Sequence, residues 1–101
     1  MNIYENIYEK WLPGDLRPRK AFEAAAACAA DPGNPTLKQA AREAAWGASE
    51  AYYAHIERRW LQPTAAERAA VRKFARDAYL AAYYAAYPEE PHYETNLLFN
   101  R

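Results

Sequence analysis

The side chains best suited to nucleophilic or metal chemistry are one cysteine, Cys28, and two histidines, His55 and His92. A thiol becomes a nucleophile when a base or cation beside it favours the thiolate. Cys28 instead interrupts an alanine run, Ala24 to Ala27 before it and Ala29 and Ala30 after it, which is the setting of a small buried hydrophobe. Neither histidine is near it in sequence. His55 is followed by Glu57, Arg58 and Arg59, whereas two metal ligands on one helical face stand three or four positions apart. His92 lies among Glu89, Glu90 and Glu94 between and after prolines, the composition of a solvated charged tail. No glycine-rich phosphate loop and no paired acids at catalytic spacing occur. A single cysteine has no partner for an internal disulfide or a thiolate zinc site, which removes stapled secreted scaffolds and zinc fingers. The expectation is a protein that is not an enzyme, with no catalytic residue, no metal and no cofactor.

Binding chemistry is better represented. Nine tyrosines, three tryptophans and three phenylalanines make 15% of the chain, and tyrosine stands where leucine and isoleucine usually fill a helical core. Between Thr64 and Tyr87 the residues Arg68, Arg72, Arg76, Tyr79, Tyr83 and Tyr87 recur at helical spacing, a stripe basic in its first half and aromatic in its second. Arginine and tyrosine carry much of the energy in protein interfaces, because both give large contact area with fixed hydrogen-bond geometry. The same stripe could track phosphates and stack bases. Against nucleic acid stands the charge balance. Thirteen basic and thirteen acidic side chains cancel, and the surplus of Arg68, Arg72, Lys73 and Arg76 over Glu67 and Asp77 is offset by Glu89, Glu90 and Glu94 in the tail. Shorter basic clusters at Arg17, Arg19, Lys20 and at Arg58, Arg59 are unspecific. Whether Tyr79, Tyr83 and Tyr87 belong to a core or an interface stays open at this level.

Helices must hold these residues. Proline and glycine break the chain at Pro13-Gly14, Asp31 to Pro35, Gln62-Pro63 and Pro88 to Pro91, and nothing between reads as a strand. The duplication Asn2-Ile3-Tyr4-Glu5, Asn6-Ile7-Tyr8-Glu9 stacks Ile3, Ile7 and Trp11 on one face with Tyr4, Tyr8 and Leu12 beside them, predicting a short helix over about residues 3–12. Asp15 can cap an alanine-rich second helix with Pro18 in its first turn. Asn34 caps a third, with Pro35 at its start, running to about Leu61. Thr64 and Glu67 form a capping box, so the fourth begins sharply after Pro63, doubles back as an antiparallel hairpin, and ends near Tyr87.

On the third helix Trp46, Ser49, Tyr53, Ile56 and Trp60 alternate at spacings of three and four and are expected to be core. The opposite strip of Ala40, Ala44, Gly47, Ala48, Ala51 and Ala54 is small enough to admit another helix, so the third helix is expected to be covered on two sides. Tyr4, Tyr8 and Tyr53, at or beside these seams, are expected to act as core wedges. On the fourth helix Val71, Phe74, Ala75, Ala78, Ala82 and Ala85 make the core face.

The 101 residues suit a single α-helical domain, a small all-α bundle of about four helices with an extended tail over residues 88–101. Mean hydropathy is −0.61 and no window approaches the roughly 20 apolar residues of a membrane span. The opening Met-Asn-Ile-Tyr-Glu lacks the basic then apolar order of a signal peptide, so cytoplasmic residence is expected. The chain is expected to bind a larger protein stoichiometrically through the Arg/Tyr stripe, in the manner of small inhibitors, immunity proteins and phage host-takeover proteins such as anti-CRISPR proteins. That grouping rests on size and the lack of a catalytic motif. A nucleic-acid-associated protein is the alternative, and a homodimer buried on the aromatic stripe comes third.

Overall fold

The computed structural model describes residues 3–57 and 63–88. Four helices follow one another: α1 (Ile3–Trp11), α2 (Arg17–Ala30), α3 (Pro35–Glu57) and α4 (Ala65–Ala86), with no strand among the described residues. The extended tail expected after Pro88, and with it His92, lies outside the described residues, as do Arg58, Arg59 and Trp60.

Local chemistry sets the helix starts. Thr64 Oγ1 accepts from the Glu67 backbone N–H at 3.0 Å while Glu67 Oε1 accepts from the Thr64 N–H at 3.2 Å, a reciprocal capping box. Asn34 Oδ1 accepts from the N–H groups of Thr36 and Leu37, with Pro35 in the first helical position where no N–H is required. At α2 the expected cap is displaced by one residue. Leu16 holds the capping position without a side-chain bond, and Asp15 accepts from the Arg17 N–H from one position further out. Its second oxygen is thereby turned toward other partners.

The helices α2, α3 and α4 pack against one another, and α1 lies along α4. Their contact is made largely of alanine: Ala21 and Ala25 of α2 meet Ala45 and Ala48 of α3 and Ala78 and Ala82 of α4. Larger side chains fill one end, where Tyr8, Ala51, Val71, Phe74 and Ala75 cluster. Cys28 is fully buried with Ala41 and Ala86 at the other end, its Sγ 3.3 Å from the Ala85 carbonyl oxygen. On α4 the predicted core face is the observed one, with Ala85 only partly buried.

On α3 the expected core is turned outward. Trp46 is 71% exposed and Tyr53 54% exposed, and Ser49 is half-buried; the side chains of Ile56 and Trp60 lie outside the described residues. The face that packs is Ala41, Ala45, Ala48, Ala51 and His55. Of the small strip, Ala48 and Ala51 are buried, whereas Ala40 and Ala54 are exposed. The physical reason is fit among three helices. Backbones that meet on alanine approach closely, and interaxial distance follows the side chains at the contact. An indole inserted there would force the bundle apart and cost close packing along all three helices. So α2 and α4 occupy the alanine side of α3 together, and its aromatic side is not covered by either. Tyr8, by contrast, is 1% exposed and acts as the expected wedge.

Candidate protein-binding surface

The α4 stripe advances by four, four, three, four and four residues from Arg68 to Tyr87, which keeps it on one side of the helix beside α3. Its aromatic half forms a ladder, with ring centroids of Tyr79 and Tyr83 5.6 Å apart and of Tyr83 and Tyr87 5.0 Å apart. Each of these rings is half-buried, one edge against the alanine core and the other outward. Facing them across the helix pair are Arg42, Trp46 and Ser49, and together they line a groove of about 260 Å³. The Arg42 guanidinium sits over the Tyr87 ring at 5.4 Å. Burial pushes the Tyr79 hydroxyl up from its ordinary range, reinforced by Tyr83, Tyr53 and Tyr84 close by. The outward seam of α3 and the stripe of α4 are thus two walls of one surface.

The basic half continues the same seam. Arg72, Lys73 and Arg76 line a second depression of about 240 Å³ with Ala69 and with Tyr52 of α3. Lys73 pairs with Asp77 at 2.8 Å and Arg76 approaches the same carboxylate at 3.4 Å. Lys73 also lies over the Tyr4 ring at 5.2 Å. Arg68 is diverted, since its Nη1 donates to the Pro63 carbonyl at 2.7 Å and secures the start of α4. Five of the six residues expected to bind a partner therefore line this surface, and the sixth braces the turn before it.

A polar cluster unforeseen in the sequence lies under α1. The Tyr8 hydroxyl donates to Asp15 Oδ2 at 2.8 Å, and its oxygen is 2.9 Å from His55 Nε2, which is itself 3.3 Å from the same carboxylate oxygen. With the tyrosine hydrogen directed to Asp15, the imidazole Nε2–H is the donor to the tyrosine oxygen. Arg17 closes the set through Nε and Nη2 at 2.9 and 2.8 Å. Burial alone would raise the Asp15 carboxyl, but the Arg17 and Tyr8 hydrogen bonds reverse this and hold it well below the usual carboxylate range. Burial, helped by Asp15, pushes the Tyr8 hydroxyl far above its ordinary range. At neutral pH the pair is therefore a fixed anion and a fixed donor, which suits a fastener joining α1, the α1–α2 turn and α3. Separations of 7, 40 and 47 positions among Tyr8, Asp15 and His55 left no local signal for it.

Among the described residues no group of three or more His, Cys, Asp or Glu could hold a metal ion, and no helix is long and apolar enough to cross a membrane. Comparison with protein-family models, curated proteins and solved structures gives no match.

Proposed function

We propose that the protein is a non-enzymatic cytoplasmic binder of a larger protein, acting stoichiometrically as small inhibitors, immunity proteins and phage host-takeover proteins do, anti-CRISPR proteins among them. One observation carries this reading: Trp46 and Tyr53 of α3 point away from an alanine core, and Trp46 meets the α4 stripe in a single surface. Leaving a tryptophan and a tyrosine in water forgoes roughly 1.5–3 kcal/mol of burial for a large apolar side chain, and a partner recovers it. Trp, Tyr and Arg are also the residues that dominate binding hot spots. Affinity capture from the cell that makes the protein, or from that cell under phage infection, tests the reading. The parent should retain a protein partner, while Arg72→Ala, Arg76→Ala or Tyr83→Ala should lose about 2 kcal/mol or more of affinity where it is a hot spot. Full retention by all three variants would remove this surface from consideration.

A nucleic-acid role draws on the depression around Arg72, Lys73 and Arg76. It is the weaker reading, because Asp77 takes up part of the charge of Lys73 and Arg76 and the chain as a whole carries no net positive charge. Binding to an oligonucleotide that falls steeply with salt and vanishes in Arg72→Ala would reverse this order.

A further inference from the structure

We infer that the α3–α4 surface docks a second copy of this chain, two protomers lying antiparallel across a two-fold axis; the inference rests on reading this surface as an interface. The surface is divided along its length. Arg72 and Arg76 stand toward one end, and Tyr83 and Tyr87, with Trp46 of α3 beside them, toward the other, the two pairs on α4 centred about 16 Å apart at 1.5 Å per residue. A two-fold interface is self-complementary, each patch meeting its counterpart on the other protomer. Antiparallel docking sets the guanidinium groups of one protomer over the rings of its partner, and does so twice. Parallel docking would stack cation on cation. The chain already favours this chemistry within itself, with Arg42 over Tyr87 and Lys73 over Tyr4.

Charge supports a copy over an acidic or polyanionic occupant. The formal net charge is zero at pH 7, so two copies meet without long-range repulsion. Asp77 partly neutralises Lys73 and Arg76, which weakens the basic end for phosphates, while a paired guanidinium keeps a flat face for stacking on a neutral ring. A larger protein partner would compete with the second copy for the same rings, so self-association and partner binding are mutually exclusive on this surface.

Sedimentation equilibrium of the full chain at neutral pH, up to about 1 mM, tests this. The expected mass rises with concentration toward twice the 11.6 kDa of one chain. Trp46→Ala and Arg72→Glu should each raise the dissociation constant at least about tenfold, as loss of one hot-spot residue does. Far-ultraviolet circular dichroism should show both variants folded, and Tyr53→Ala serves as a second probe of the aromatic wall. A chain that is monomeric throughout overturns the inference while leaving the hetero-partner reading intact. A dimer unaffected by any of these variants overturns it too, and assigns the contact to another surface. A monomer that binds a labelled single-stranded oligonucleotide through Arg72 gives the surface to nucleic acid instead.

Discussion

Three side chains from distant parts of the chain, Tyr8, Asp15 and His55, meet in one buried cluster, and the sequence held no sign of it because no periodic pattern links a helix, a turn and the end of another helix. Its energetics are legible once the geometry is known. In Tyr8→Phe the ring would keep its place 5.3 Å from Phe74, but Asp15 and His55 would each lose a hydrogen-bond partner under cover. The expected loss is about 1–3 kcal/mol by chemical denaturation. The cluster also sets a pH window. Asp15 is held low in the folded state, so its contribution is present above the unfolded carboxyl range near about 4 and is lost as the pH falls below it. Tyr8 is held high, so its contribution is complete below about 10 and is lost on further alkalinisation. A melting midpoint that falls less steeply toward acid and toward alkali in Tyr8→Phe than in the parent would bear this out. Identical profiles for parent and variant would remove the fastener role.

At the level of elements, punctuation was legible and facing was not. The spacing of Thr64 and Glu67 after Pro63 fixed where α4 starts, and Thr64→Ala should cost about 1 kcal/mol, read by denaturant titration. On α3, alanine and aromatic residues recur with the same helical period on opposite sides. Periodicity alone does not say which side is inward when neighbouring helices also offer alanine. The spacing of the larger residues fits a core seam, but the close approach of three alanine faces turns them outward. The helical spacing of the α4 stripe is therefore legible in the sequence, whereas the outward turn of the aromatic side of α3 is not. Gly47 gives an independent check on the packing of α3. A methyl group there would meet the Arg17 side chain no closer than 3.8 Å, an ordinary contact. Gly47→Ala should thus stabilise the protein by about 0.5–1 kcal/mol through helix propensity. Destabilisation would mean that α2 and α3 lie closer than described.

Among the described residues, α2, α3 and α4 meet largely on alanine, Tyr8 and Phe74 fill one end of the core, and Trp46 and Tyr53 of α3 face outward. A 101-residue domain with net stability of about 5–15 kcal/mol can hold this arrangement because alanine has the best helix propensity and packs closely. The most direct test is thermal unfolding of Trp46→Ala, at a dilution where sedimentation shows a monomer, with Phe74→Ala as the buried comparison. Phe74→Ala should lose about 3–5 kcal/mol. For Trp46→Ala the predicted result is a change within about 0.5 kcal/mol, as for other exposed substitutions. A loss comparable to that of Phe74→Ala would contradict the account, because it would place the aromatic side of α3 in the core.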